Sequence, residues 1–436
     1  NNIISNIDVE GSTCDVGGLF GIAHYGNQFE NCSCSGDVEI YAAEEADEAQ
    51  EIGGIAGVWN NGGADVVMTN CEFTGTVTTN IDRETVWYSN LVGRPYSATG
   101  TGRLIIDGNV VVASANTLQA AINGAKDGDI IKLVDDITVS ETSDPNGNVV
   151  YYTGDKSFTI DLNGKEVKGN TSNVVFRFQK AEGEVNTITI KNGTVEALEN
   201  CWSAISIGSS ASTKTYVNLV DLTVKSQKTN DMAVRARSGA EFTMTNCTVV
   251  ATESAGGICA GGGNVTLNNV TVNQTGWYSN NWNSVALGIS GGAKMTINSG
   301  SYTSNPNGDT RGTWVAYVMS SGGILEINGG SFNGTVGQTA NSANACGLIC
   351  ADAKAVVNIN GGEFNSTGAI LDMRNNSGAT PNPKAVLAGG TFSADPRVSG
   401  LYSSNLISVA EGYEVKGENG TYVVSKKPEA NVNGTP

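Results

Sequence analysis

The feature that most constrains this chain is that it repeats itself. The tetrapeptides Gly18-Leu19-Phe20-Gly21, Gly54-Ile55-Ala56-Gly57 and Asn90-Leu91-Val92-Gly93 follow one another at steps of 36 residues. Behind the first two lie matching segments, Asn31-Cys32-Ser33-Cys34-Ser35-Gly36-Asp37-Val38 and Asn70-Cys71-Glu72-Phe73-Thr74-Gly75-Thr76-Val77. One repeat of this length cannot bury an apolar face alone, so copies must stack and share a core along an axis. Ile3 to Gly11 reads as the second half of the same unit without its first half. The chain is therefore expected to begin inside a repeat. With neither an initiator Met nor a signal peptide, it reads as a piece of a longer protein.

A second pattern starts at Asn116. The run Asn116-Thr117-Leu118-Gln119-Ala120-Ala121-Ile122-Asn123-Gly124-Ala125 carries apolar residues at helical spacing behind a capping Asn, with Asp127-Gly128-Asp129 as a stop. It is the one helix the sequence predicts. Ile130 to Val139 then reads as two strands separated by Asp135 and Asp136. Beyond them, Asn- or Gly-marked turns recur with anchors at 164, 193, 222, 247, 270, 300, 330, 362 and 390, at steps of 23 to 32 residues. Irregular steps suit a coil whose strands are fixed in length while its turns vary. A propeller or sandwich would show hairpin signals instead. One such signal does occur, at the end. Tyr413 to Val424 reads as a hairpin about Asn419-Gly420, placed to cover the last open edge, with a linker from Ser425 on.

The G-L-x-G and N-C-x-x-x-G-x-V units resemble the GLUG repeat of bacterial surface proteins, including adhesins and the flanks of immunoglobulin-cleaving proteases. The short helix followed by Asp127-Gly128-Asp129-Ile130-Ile131-Lys132-Leu133 resembles the N-terminal cap of right-handed parallel β-helices of the pectin-lyase-like superfamily. These resemblances imply an all-β chain: GLUG-like β-solenoid repeats over residues 1–112, a capped right-handed parallel β-helix over 113–425, and a linker over 426–436. They also imply a secreted or cell-surface location. No catalytic motif is present onto which family residues could be carried.

In such a stack equivalent side chains fall one above another. Asn163, Asn192, Asn246 and Asn269 are expected in one turn column, and Asn268, Asn298, Asn328 and Asn360 in its neighbour. An amide both donates and accepts, so a column of Asn can satisfy itself. These asparagines are read as ladder structure, not as ligands. Cys32 and Cys71 share a repeat position and are expected to stack as small buried thiols, with a disulfide as the alternative. Cys346 and Cys350 form a second pair to test. The nine cysteines form no zinc knuckle. The acidic run Glu44 to Glu51 reads as a solvated loop, and Asp144, Asn146 and Asn148 imitate the start of a calcium loop but have Val149 where Gly is needed.

Composition narrows the function. Forty-three acidic against 25 basic residues give a formal charge of −18, which repels a phosphate backbone, so nucleic acid is not an expected partner. No apolar run is long enough to span a bilayer as a helix. A single histidine, His24, leaves almost nothing for imidazole metal sites or Ser-His-Asp triads, so catalysis would fall to carboxylates, Arg, Lys or Tyr. No metal or other cofactor is expected, and the chain is expected to act as a monomer.

Strand alternation ahead of the Asn turn sorts side chains. With Phe176, Phe178, Ile205, Ile207, Val234, Ala236, Leu287, Ile289, Ala316, Val318, Leu371 and Met373 inward, the outward file reads Arg177, Ser206, Arg235, Cys259, Gly288, Tyr317, Ile349 and Asp372. One carboxylate in eight is too few for the paired acids of a hydrolase or the calcium-binding cluster of a lyase. Acids in the turns, Asp221, Asp231, Glu241 and Asp309, are scattered. Arg235 and Arg237 on one strand could contact a sugar carboxylate, and Asp372 with Arg374 is expected as a surface ion pair. Trp202, Trp282 and Trp314 each precede the same strand in their own coils, and Trp277 and Tyr278 lie in the loop before Trp282. These rings either cover the loop–strand junctions as small cores or form a glycan platform with Arg235, Arg237 and Tyr317. Non-catalytic recognition of polysaccharide or host glycan is the expected function. A lyase or hydrolase of acidic polysaccharide, or a stalk without ligand, are the alternatives.

Overall fold

The computed structural model describes residues 3–5, 9–11, 16–23, 26–40, 52–59, 64–79, 102–140, 144, 146–180, 186–227, 231–252, 256–275, 285–304, 314–334, 347–375, 378, 380–400 and 404–428. Among these the chain is a parallel β-solenoid with one α-helix. It divides into two compact units, 1–137 with 156–165, and 138–155 with 166–436. The division falls later than the change of sequence pattern at residue 112, because the helix and the strand Ile130–Leu133 go with the first unit.

In the first unit the repeats pair in parallel at the spacings the sequence carries. Val16 pairs with Ile52 and Phe20 with Ala56, both at the 36-residue step. Val9–Gly11 and Val77–Thr79 flank Val38–Ile40, and Ile3–Ser5 pairs with Cys32–Cys34, so the opening residues do supply a half repeat. The third tetrapeptide and His24 lie outside the described residues. Cys32 and Cys71 sit at one station as unbridged thiols, Cys32 buried and Cys71 only half-buried, each directed at a carbonyl two residues before it, so stacking and not a disulfide is what the repeat produces. Cys14 and Cys346 are not among the described residues. The helix, α1, spans Ala115–Asn123 and buries Leu118, Ala121 and Ile122. Its cap is Ser114 and not Asn116: the Ser114 hydroxyl accepts from the Thr117 amide while the Thr117 hydroxyl receives the Ser114 amide. A reciprocal pair with Thr at the third helical position outcompetes an Asn two residues on.

In the second unit each full coil has three sides. One side is a nine-stranded parallel sheet made of Val150–Tyr152, Val174–Phe178, Ser203–Ile207, Met232–Arg237, Gly256–Gly261, Leu287–Ser290, Ala316–Val318, Gly347–Ala351 and Ala369–Met373. The other two meet at the Asn corner, and in Thr187–Ala197 and Thr215–Ser226 a single strand runs through that corner. The ladders align residues 193, 222, 247, 270, 300, 330, 362 and 390 as the sequence spacing requires. The anchor at 164 is one residue early. Glu166 pairs with Thr194, so 165 is the station, because Asn163 and Gly164 both take left-handed φ values and lengthen that turn.

The corner changes chemistry along the axis. Asn192, Asp221, Asn246 and Asn269 occupy it at φ of 52 to 59°, where a short polar side chain is tolerated. From Gly300 on, the left-handed residue moves one place, to Gly300, Gly330, Gly362 and Gly390. At Gly300 a Cβ would lie 2.1 Å from the Val270 carbonyl oxygen, which only glycine avoids. The asparagine moves the other way, to two residues before that glycine. Asn360 donates to Asn328, Asn328 to Asn298 and Asn298 to Asn268 at 2.8 to 2.9 Å, and Asn269 donates to Asn246 at 2.9 Å. The first column is incomplete as a ladder, since Asn163 donates to the Leu133 carbonyl and Asp221 stands between Asn192 and Asn246.

Inside the corner, Val195, Val224, Val249 and Val272 give way in register to Tyr302, Phe332, Phe364 and Phe392. These four rings are buried and stacked at 4.8 to 5.0 Å between centroids, the strand spacing itself. Tyr302 keeps its hydroxyl satisfied on the Ser299 carbonyl at 2.9 Å. The last rung is closed as the sequence predicts. Tyr413–Glu418 and Thr421–Lys426 form a hairpin about Asn419-Gly420, and its second strand pairs antiparallel with Gly390–Phe392. The strand thus runs to Lys426, beyond the expected linker start.

Two measurements test these interactions. Phe364→Ala opens a cavity in the aromatic stack and should lower unfolding stability by about 3–5 kcal/mol, against about 1 kcal/mol for Asn328→Ala on the exposed ladder. Equal losses in urea unfolding would show that the rings are not the dominant core. In the first unit, Arg103 is buried and holds Asp65 through Nη2 at 2.8 Å and Nε at 3.2 Å, and also donates to Asp129. Its side-chain hydrogen bond holds the Asp65 carboxyl below the usual 3.8, against burial. A depressed carboxylate stabilises the fold above its unfolded value and loses that contribution as pH falls through the folded one. Thermal midpoints should therefore drop below pH 3.8 more steeply in the native chain than in Asp65→Asn.

Candidate binding face on the nine-stranded sheet

The inner residues of this sheet are as the alternation predicts: Phe176, Ile205, Val234, Leu287, Ala316 and Leu371 are fully buried in the solenoid. The outward file is Tyr151, Arg177, Ser206, Arg235, Cys259, Gly288, Tyr317, Cys350 and Asp372. Cys350, not Ile349, occupies the eighth place, and Ile349 points into the core beside Leu371. The long insertion before Gly347 removes any sequence mark of parity, and the ladder alone fixes it. A second outward file, two residues on, contains Gln179, Arg237, Gly261, Ser290, Asp352 and Arg374.

The face has two chemically different ends. At the C-terminal end it is covered. Trp314 is 3% exposed, its ring lies 5.0 Å from that of Tyr317, and both pack with Met232, Cys259, Val285 and Cys350. The Trp314 Nε1 donates to Asp372 Oδ2 at 3.3 Å, and the Arg374 guanidinium sits 4.7 Å above the indole. Arg374 and Asp372 form a buried pair, Nη2 to Oδ2 at 2.6 Å, with 1% and 0% of their side chains exposed. The expected surface ion pair is thus an interior one. Alternation tells which side of a sheet a residue leaves from, but not whether another layer covers that side. Tyr317 donates to Asp352 at 3.3 Å, and burial with the neighbouring Cys350 and Asp352 holds its hydroxyl far above its ordinary range. Trp314 and Tyr317 are consequently a local core and offer no open platform to a ligand. Trp277, Tyr278 and Trp282 lie outside the described residues.

The N-terminal end is cationic and half-buried, and its edge is exposed at Trp202. Trp202 precedes Ser203–Ile207 and is 52% exposed, the one exposed large aromatic among the described residues. Ile205 pairs with Val234, so Trp202 and Asp231 stand at the same station of adjacent coils, each three residues earlier. Asp231 accepts from Arg235 Nη1 at 2.8 and 3.1 Å and from the Met232 amide at 2.8 Å. Burial raises its pKa despite these partners. Arg177 spends its Nε and Nη2 on Gln179 Oε1, whose amide in turn reaches the Tyr151 hydroxyl. Arg237 is half-buried, and its Nε has no hydrogen-bond partner. Burial, then the positive charges of Arg235 and Arg177, hold its pKa below the ordinary arginine value, and Asp231 does not offset them. Ser206, between Arg177 and Arg235 in the file, has a buried Oγ that is also without a partner.

Sequence reasoning found Trp202, Arg235 and Arg237 and had Arg177 and Ser206 in the file. It missed Gln179, Tyr151 and the pairing of Asp231 with Arg235. The i,i+4 spacing of Asp231 and Arg235 was visible, but residues four apart on a strand share a face at about 13 Å from one another, and here Asp231 precedes the strand. The calcium-like segment resolves into a turn: Asp144 accepts from the amides of Asn146 and Asn148, which consumes both carboxylate oxygens. Among the described residues no group of three His, Cys, Asp or Glu side chains could hold a metal ion. Comparison of the chain with family models, curated proteins and solved structures finds no match.

The covered end makes a prediction. Asp372→Ala takes the carboxylate away from the buried Arg374 guanidinium and should cost about 3–5 kcal/mol. A loss under about 1 kcal/mol in urea unfolding, the size found for surface pairs, would mean that the pair is solvated.

Proposed function

We propose that this protein is an extracellular surface module that binds polysaccharide or host glycan without catalysis, through the cationic N-terminal half of the nine-stranded sheet. The observation that carries the reading is the half-exposed indole of Trp202 standing at the station of the Asp231–Arg235 pair. A flat apolar ring beside fixed donors and acceptors fits the two faces of a pyranose, whose C–H groups pack on the ring while its hydroxyls bond at the edge. The solenoid supports this use. Each coil's backbone is bonded to the next, so the groups along the file keep their spacing without a ligand. The acids on the face are engaged, Asp231 by Arg235, Asp352 by Tyr317 and Asp372 by Arg374, which favours holding a sugar over cleaving one. The GLUG-like and pectin-lyase-like resemblances of the sequence agree with a surface location and a saccharide partner.

Affinity electrophoresis in gels carrying single polysaccharides tests the reading. Retention should be seen with at least one glycan and should weaken roughly tenfold in Trp202→Ala. Unchanged retention in a folded Trp202→Ala variant, or passage through a broad glycan panel without delay, would overturn it.

A further inference from the structure

Three arginines converge on one end of a protein whose net charge is −18. Arg177 and Arg235 are two strands apart in one file, about 10 Å, and Arg237 lies two residues, about 7 Å, beyond Arg235 on the same side. Like charges so placed repel, and a half-buried guanidinium without a carboxylate is costly. Elsewhere on this face the fold avoids that cost: Arg374 is given Asp372, and Arg235 is given Asp231. Arg237 is given nothing at its Nε, while Arg177 is turned onto a neutral amide oxygen.

We infer that Arg237, with Arg177, forms a subsite for the oxyanion of an acidic saccharide, a carboxylate or a sulfate ester. The inference rests on the glycan reading above and specifies its substrate class. A planar or tetrahedral oxyanion accepts two donors from one guanidinium edge and a third from a neighbour, which is what these side chains hold unpartnered or lent to an amide. Arg235, already neutralised by Asp231, positions the strand and does not need to meet the ligand. The burial and mutual repulsion that hold the Arg237 pKa down are relieved when an anion arrives, so the site has more to gain from a charged sugar than from a neutral one. Overall charge works against the same ligand: an acidic polymer meets repulsion from the rest of the surface, so any retention must come from a local cluster.

The test compares matched neutral, uronate-containing and sulfated oligosaccharides by isothermal titration, on the native chain, Arg237→Gln, and Lys384→Gln as a control on another side of the coil. The acidic sugars should bind on the order of ten- to a hundredfold more tightly than the neutral one, and Arg237→Gln should collapse that preference while Lys384→Gln leaves it unchanged. The uronate and sulfate arms decide which oxyanion is taken. Thermal midpoints give a second readout: at equal ionic strength glucuronate or sulfate should raise the native midpoint more than that of Arg237→Gln, and the variant alone should be no less stable than the native chain. Equal affinity for acidic and neutral sugars would overturn the subsite while leaving glycan binding intact. Retention of no saccharide at all would overturn both, and an Arg237-dependent response to free sulfate without saccharide binding would overturn the assignment to a glycan.

Discussion

Parallel pairing in register sets every side chain of this solenoid beside its own equivalent at about 4.8 Å, again and again along the axis. That spacing selects what a column may contain. Amides pass because each donates upward and accepts from below, as in Asn268 to Asn360. Flat rings pass because 4.8 Å suits stacked aromatics, as in Tyr302 to Phe392. Small thiols pass, as at Cys32 and Cys71. Charge alternates in one column, where Lys168, Glu196 and Lys225 follow one another and both lysines also reach Glu166, whereas Glu10 and Glu39 stand in register as like charges. The cluster of Arg177, Arg235 and Arg237 gathers three positive charges around the single carboxylate of Asp231.

The same rule explains what could be read from the sequence. Columns that must tolerate themselves leave a repeating mark, so the 36-residue step, the Asn turns and eight of the nine coil anchors were legible before any coordinates. The anchor at 164 failed because two consecutive left-handed residues, Asn163 and Gly164, add a residue to a turn without changing its composition. The helix was legible from its apolar spacing, and its cap was not, since Ser114 works through a partner three residues away that carries no carboxylate or amide.

The binding face was legible only in part, and for a different reason. Alternation separates core from exterior, but the exterior of a solenoid side can itself be covered. Trp314, Tyr317 and the Asp372–Arg374 pair are chemically suited to a surface, and nothing in their local sequence says that they lie under one another. Trp202 and Trp314 both precede strands of this sheet and have opposite exposure, but the ladder sets them one station apart: Trp202 is three residues before Ile205, and Trp314 two before Ala316, which shares the station of Ile205. The neighbours differ as well. Trp314 finds an aromatic ring, a thiol-rich apolar file and a buried carboxylate for its Nε1, whereas the file beside Trp202 holds Arg177, Ser206 and Arg235, which cannot form an apolar floor.

One sheet therefore carries two solutions to the problem of what to place above an outward file. Where that file is Cys259, Gly288, Tyr317 and Cys350, apolar surface is worth burying, and a second small core forms with a neutralised ion pair at its edge. Where it is Arg177, Ser206 and Arg235, the arginines are spent on Gln179 and Asp231 and leave no apolar surface on which a second core could form. The missing core and the positive charge at the N-terminal end are then two consequences of the same residues. On the proposal made above, the negative charge of an acidic sugar would complete from outside the chain the arrangement that Asp372 completes at the other end.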